Sequence, residues 1–352
     1  MIEKRKTLII LTPGFAKDEA DSVCIPVQQD FIRTLKRIHP ALNILILTLE
    51  YPFFKGTYNW FGNTVISFKG KNKDIRKLFL RHRVYSKLKE LSRENNVVGL
   101  LSYWCSECAL IAKRFADKNN LKHICWISGQ DAKKENRYPS RIAPRADELA
   151  TLSDFLQEEF AKNHAIRPRY VVPPGIDHHQ YRDTVGPKDI DLLTAGSLIA
   201  LKQYEIFIEV IDEVRKKLPG LKTVMIGKGP EKNKLMSLIE KRGLFSNIVL
   251  AGELPHSSVL NYMKRAKVFL HPSSYEGFSI ACIEALGAGA NVISFVKPMQ
   301  HEIENWQVVR NKQEMIEETI NILQDQKKEY RSVTPYRIEE TVQRMSELFS
   351  FY

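Results

Sequence analysis

The feature that most constrains this chain is an alternation, carried along most of its length, between short apolar runs and longer amphipathic ones. Thr7-Leu-Ile-Ile-Leu11 runs into Pro13-Gly14, Phe31 to Ile38 has helical spacing, and Asn43 to Leu49 is apolar again. An uninterrupted apolar run of this length suits a strand covered on both faces, the condition of a parallel sheet between helices. The rhythm predicts strands at 97–102, 123–128 and 170–172, with helices ending near Asp117 and covering Leu156 to Asn163. It then predicts strands at 191–195, 222–226, 248–251, 268–270 and 291–295, and helices at 204–217, 232–241, 257–265 and 279–286. Two such series predict an α/β chain of two Rossmann-like, doubly wound parallel-sheet domains, residues 1–185 and 186–334, divided in the polar stretch Asp183 to Asp189. Ligands of open α/β sheets lie beyond the carboxyl ends of the strands, so the domains are expected to face each other across a substrate cleft.

Composition narrows the class. The chain has 352 residues, 43% hydrophobic and 27% charged, which excludes wholesale disorder and fits two domains. The longest apolar stretches fall far short of the roughly 20 residues that cross a bilayer. Met1 to Lys6 is basic, but the apolar run after it is too short for a signal peptide, so a cytoplasmic protein is expected. Cysteines 24, 105, 108, 125 and 282 are sparse and odd in number, as suits reduced thiols. The net charge of +12 is uneven, with +11 in residues 1–187 and +1 in 188–352. Residues 69–93 hold ten basic and two acidic side chains, with Ile75, Leu78, Phe79, Val84, Leu88 and Leu91 at roughly helical spacing. A basic amphipathic helix follows, either a solvated face or a surface for anionic lipid at the inner face of a membrane. No aromatic nucleic-acid motif accompanies the charge, so nucleic acid is not an expected partner.

The sharpest motif is Tyr275-Glu276-Gly277-Phe278-Ser279-Ile280-Ala281-Cys282-Ile283-Glu284-Ala285. It follows a strand, and Gly277 is expected to open a helix whose free N–H groups suit a phosphate. Glu276 precedes that terminus and Glu284 lies within the helix, so the two carboxylates are placed either to bond hydroxyls on either side of a diphosphate or, taken singly, to serve as a helix cap and a surface residue. Gly196-Ser197-Leu198-Ile199-Ala200-Leu201-Lys202 follows the first strand of the second domain, where Lys202 would neutralise a diphosphate leaving group. Gly227-Lys228-Gly229-Pro230 follows the next strand. His256 and His271 stand at strand ends and read as structural. Trp104-Cys105-Ser106-Glu107-Cys108 has redox-motif spacing but occupies an ordinary strand-to-helix junction. Neither an Asp-x-Asp pair nor a His/Cys ligand cluster stands out, so no metal or cofactor is expected.

Taken together, these segments resemble the retaining glycosyltransferases of glycosyltransferase family 4. Glu276 and Glu284 fit its paired-glutamate motif, and Arg145-Ala-Asp147 with Ser153, Pro173-Pro-Gly-Ile-Asp177, Gly227-x-Gly229-Pro230 and Gly252 follow in the family's order. The resemblance implies the GT-B fold and transfer of a sugar from a nucleoside diphosphate sugar to a glycan or lipid-linked acceptor hydroxyl, with retention. It implies that Glu276 and Lys202 carry catalysis, and that Glu284, Gly277, Phe278, Ser279, Gly196, Ser197, Gly227, Gly229 and Gly14 bind the donor. It also implies a terminal helix in residues 335–352 that returns to the first domain. The chain departs from the pattern at Ser197, where the family carries a second cation. It departs again at Pro13-Gly14-Phe15, in place of a Gly-Gly loop, and at Ser128-Gly129-Gln130-Asp131, in place of a His-Gly pair, which leaves Asp131 as the acceptor or sugar contact. The rival readings are a sugar-nucleotide epimerase and a silent nucleotide-sugar or membrane-surface binder.

Overall fold

The structure is a computed structural model that describes residues 4–70, 74–181 and 187–350, with the side chains of 74–76 left aside. It divides into two compact units, Met1–Pro174 with Ile338–Tyr352, and Gly175–Arg337. The division falls inside Pro173-Pro-Gly-Ile-Asp177 rather than at residue 185.

In chain order, the first unit holds β1 (Lys6–Gly14), α1 (Pro26–Ile38), β2 (Asn43–Tyr51), β3 (Gly56–Trp60), β4 (Asn63–Ser67), α2 (Asp74–Glu94), β5 (Asn96–Tyr103) and α3 (Glu107–Asn119). It continues with β6 (His123–Ile127), α4 (Tyr138–Ile142), β7 (Leu149–Thr151), α5 (Asp154–His164) and β8 (Tyr170–Val171). The sheet order is β3-β4-β2-β1-β5-β6-β7-β8. Residues 7–12 of β1 are buried without a break, because helices cover both faces. One pair departs from the expected parallel sheet: β3 and β4 run antiparallel, joined by Phe61-Gly62, both at positive φ. That turn matches the right-handed twist of a tight hairpin.

Helix α2 corrects the expected basic stripe. It begins at Asp74, not Lys69, which sits at φ 48 before residues 71–73, outside the described set. The expected apolar face placed Leu78 and Phe79 inward, but they are 62% and 69% exposed. The buried line is Leu80, Val84, Leu88 and Leu91, which packs with Leu47, Ile111 and Phe115. Steps of four and three residues keep these four on one helix face, whereas Leu78 and Phe79 lie about 200° and 100° away from Leu80 around the axis. The side chain of Ile75, named with them, lies outside the described residues.

The second unit holds β9 (Ile190–Ala195), α6 (Tyr204–Lys217), β10 (Thr223–Ile226), α7 (Lys232–Lys241), β11 (Ile248–Gly252), α8 (His256–Arg265), β12 (Ala266–His271), α9 (Ile280–Gly287), β13 (Asn291–Ser294), β14 (Trp306–Val308) and α10 (Lys312–Gln324). Its sheet, β11-β10-β9-β12-β13-β14, is parallel throughout. Leu192, Val268 and Ile293 from the strands meet Phe207, Ile211, Val214 and Ile320 from the helices in one core. The remaining helix, α11 (Ile338–Glu347), belongs to the first unit. It buries Val342 and Met345, and His39 Nε2 lies 3.1 Å from Ser346 Oγ. Beyond it, the Phe349 ring fills the space that a side chain at Gly99 would take. No helix among the described residues is long and apolar enough to cross a membrane.

Candidate functional site

The loops after β9, β10, β11 and β12 gather the polar groups of the second unit. Their packing explains the glycines. Gly196 N–H donates to Ile226 O at 3.0 Å, Leu198 N–H to Lys228 O at 2.9 Å and Gly227 N–H to Gly252 O at 2.8 Å. A Cβ at Gly227, where φ is +147, would overlap the Gly196 carbonyl oxygen, and one at Gly229 would strike the Leu198 backbone. Both glycines are therefore required by backbone-on-backbone contact, which the bare G-x-G spacing did not show. Ser197 is exposed on this framework.

From the turn that ends at Lys202, the Nζ pairs with Glu276 Oε2, and His271 Nε2 approaches the same oxygen at 3.2 Å. Burial pushes the Glu276 carboxyl up. The bond from His271 and the Lys202 charge outweigh it and hold the pKa at about 2, so the group is ionised at neutral pH. His271 is fully enclosed, and burial lowers its pKa. A neutral ring with its proton on Nε2 satisfies an acceptor that cannot donate.

The helix after this loop starts later than expected. Gly277 and Phe278 stay outside the helix, Ser279 is the N-cap without a side-chain cap bond, and α9 begins at Ile280. The cause is packing: the Phe278 ring is 4% exposed and lies edge-on to Trp306 at 6.2 Å and Tyr336 at 5.7 Å. Phe278 thus anchors the loop by its side chain and leaves only its backbone for a ligand. Glu284 falls in the second turn of α9, where its Oε1 meets His256 Nε2 at 2.7 Å. The two histidines that the sequence reads as structural therefore each hold one of the two glutamates. His271, Glu276, Ser279, Pro298 and Trp306 close together without room for a water, and Pro298 and Trp306 also line a hollow of about 640 Å³.

Two other expected positions, Gly14 and Asp131, line one cavity of the first unit. The Asp131 carboxylate accepts from the N–H groups of Cys105 at 2.8 Å, Gly129 at 2.8 Å and Ser128 at 3.1 Å. Burial outweighs those bonds and raises its pKa. Its lone pairs tie the loop after β5 to the loop after β6. In the Cys-x-x-Cys segment both thiols are buried, and burial pushes Cys108 well up, the opposite of an activated thiol. Asp177, His178 and His179, which the sequence reading passed over as ligands, bring a carboxylate and two imidazoles within 4.8 Å of one another.

Comparison with known proteins bears on the fold and the family. Residues 180–339 match the family model of glycosyl transferases group 1. The chain is 28% identical over 128 residues to a phosphatidylinositol N-acetylglucosaminyltransferase subunit of Arabidopsis thaliana, covering 36% of this chain and 29% of that protein. It is 30% identical over 147 residues to the GtfA subunit of UDP-N-acetylglucosamine–peptide N-acetylglucosaminyltransferase of Streptococcus pneumoniae, covering 42% and 29%. The matched stretch thus spans less than a third of either relative. The solved structure of the pneumococcal O-GlcNAc transferase GtfA with UDP and GlcNAc superposes with a TM-score of 0.67 at 14% identity, over 98% of this chain and 99% of that one. The chain has the GT-B fold, and the matches support a group 1 glycosyltransferase.

Proposed function

We propose that the protein is a retaining glycosyltransferase that moves a sugar from a nucleoside diphosphate sugar to a hydroxyl of a glycan or lipid-linked acceptor. The observation that carries this reading is Glu276, kept ionised between Lys202 and His271 on the loop that leads into α9. Glycosyl transfer develops positive charge at the anomeric carbon and negative charge on the departing diphosphate. Glu276 faces the first need, as the contact to the donor sugar. Lys202 and the backbone N–H groups of Gly277, Phe278 and Ser279 face the second, with Gly196, Ser197, Gly227 and Gly229 shaping the diphosphate bed. Glu284, oriented by His256, takes the ribose hydroxyls. An incoming diphosphate competes with Glu276 for the Lys202 ammonium, so donor binding trades an internal ion pair for one with substrate. These residues need no metal ion for the charge stabilisation described.

Screening UDP, GDP and ADP sugars by thermal shift, followed by turnover assays, tests the reading. At least one donor should raise the Tm and be consumed, and Glu276→Ala should lose turnover while still binding nucleotide. Nucleotide binding without any turnover in the wild type would favour the silent binder, and turnover unchanged in that variant would favour the epimerase.

A second observation supports action at an anionic membrane surface. Leu78 and Phe79 stand exposed on α2 beside Lys77, in a segment with ten basic residues. Clustered Lys and Arg contribute roughly 1 kcal/mol each near such a surface. We place the protein in the cytoplasm, peripheral to the membrane, and its five free thiols suit that compartment. Flotation with phosphatidylglycerol vesicles should succeed at low salt and fail at high salt, and Leu78→Ser with Phe79→Ser should abolish it. Equal flotation of that variant would remove the surface from the account.

A further inference from the structure

The first unit holds an open cavity of about 590 Å³ where the carboxyl ends of β1, β5 and β6 meet. Its walls include Pro13, Ile25, Trp104 and Tyr138, and no Lys or Arg is among the described residues that line it. Two backbone features set it apart. Trp104 sits at φ 64 and Ile25 at φ 47, and both residues line the cavity. The left-handed region is costly for any residue with a Cβ and most of all for bulky or β-branched ones. Strain of this kind gathers at ligand sites, where the surrounding structure holds it in place. Here the loop after β5 is held by Asp131 through the Cys105 N–H and by Asn136, which donates to Cys105 O at 2.9 Å.

The polar atoms around the cavity are mostly spent. Asp131 accepts three backbone N–H groups, Asn136 donates to Cys105 O and Asp131 O and accepts from Tyr138 N, and the Tyr138 hydroxyl donates to Glu107 at 2.9 Å. Gln130 and Glu135, both exposed, remain at the rim, and the buried Ser106 hydroxyl is the unsatisfied polar atom among the described residues of the lining. A phosphate would meet no cation here, and a sugar ring seated inside would leave its hydroxyls short of partners. An indole face, a proline and an isoleucine suit an apolar group instead.

We propose that this cavity is a subsite for an uncharged, apolar aglycone, an aryl or alkyl group carried beside the acceptor hydroxyl. The word acceptor rests on the glycosyl-transfer reading; the binding does not. The test is saturation-transfer NMR without donor, comparing 4-nitrophenyl glycosides of glucose, galactose and N-acetylglucosamine with their methyl counterparts. The nitrophenyl ring should saturate and the methyl glycosides should not. Trp104→Gly removes the indole and suits φ 64, so it should hold or raise the Tm while weakening nitrophenyl binding about tenfold or more. Ile25→Gly is a second variant of the same design, should the first lose its fold. Equal saturation by methyl glycosides would make the cavity a sugar-ring site and overturn the proposal. Binding that survives both variants, or no binding at all, would overturn it too. Donor turnover that depends on Glu276 is measured separately, so it can stand if this subsite falls.

Discussion

The two units are built on the same plan, a mainly parallel sheet with loops at the carboxyl ends of its strands, and those loops are furnished in opposite ways. In the second unit, glycines let three loops touch backbone to backbone, and the remaining space holds Lys202, Glu276, Glu284 and two histidines. In the first, the loops hold Ile25 and Trp104 in left-handed backbone, and the polar groups around them bond to one another. Shared topology therefore fixes where a ligand meets each sheet, and the loop residues decide its chemistry. On the proposed reading the loops of the second unit serve an anionic leaving group and those of the first an uncharged body.

The contrast can be broken at its glycines. Gly227→Ala forces a Cβ onto the Gly196 carbonyl at positive φ, and should cost more than about 3 kcal/mol, read as collapse of the second unit in denaturant melts. Gly14→Ala, whose nearest neighbour is the Tyr51 Cβ at 3.3 Å and whose φ is ordinary, should cost less than about 1 kcal/mol. Similar losses at both sites would erase the distinction.

Acid sharpens it. His123 in the first unit is fully buried, with Nε2 2.9 Å from Ser102 Oγ; burial, helped by Lys113, lowers its pKa to about 3. The unfolded chain takes up this proton near pH 6.5 and the folded one does not. Stability from the neutral ring is thus complete above pH 6.5 and declines by about 1.4 kcal/mol per unit as pH falls toward 3. Glu276 behaves differently: its pKa is depressed from 4.5, so its contribution is full above 4.5 and lost only as pH falls through about 2. Between pH 6.5 and 4.5, His123→Asn should flatten the loss of stability, and Glu276→Gln should leave its slope unchanged. Urea melts at stepped pH values decide this, and an unaltered slope in His123→Asn contradicts it.

Smaller effects separate the roles within the second unit. Lys202→Met should weaken nucleoside diphosphate binding by about ten- to a hundredfold in calorimetry, with a shallower salt dependence. His256→Ala should raise the donor KM by about fivefold and leave kcat within about twofold, because it frees Glu284 without touching the reacting bond. A fall in kcat alone would assign His256 a different part.

What the sequence disclosed follows the range of its signals. Apolar runs reported the buried strands, and the spacing of Glu276 and Glu284 reported the motif, because both are local. The β3–β4 hairpin shows no apolar run, because its strands are five residues each and Gly56–Trp60 alternates in burial. The phase of α2 was misjudged because Leu78 and Phe79 are as apolar as Leu80, and only the packing partners tell them apart. The bond of His256 to Glu284 depends on how α8, after β11, meets α9, after β12, and so has no local signature, whereas His271 ends β12 only five residues before Glu276 and its contact was within reach of the sequence. The left-handed backbone at Ile25 and Trp104 has no sequence signature, because those residues are the least suited to it.

The proposed function stands or falls with donor chemistry at Glu276 beside Lys202. The direct measurement is the rate of release of nucleoside diphosphate from the donor selected by thermal shift, for wild type and Glu276→Gln at equal nucleotide occupancy. In Glu276→Gln, kcat should fall by at least about a hundredfold, with nucleotide affinity changed by less than about threefold. Equal rates in the two proteins would contradict it.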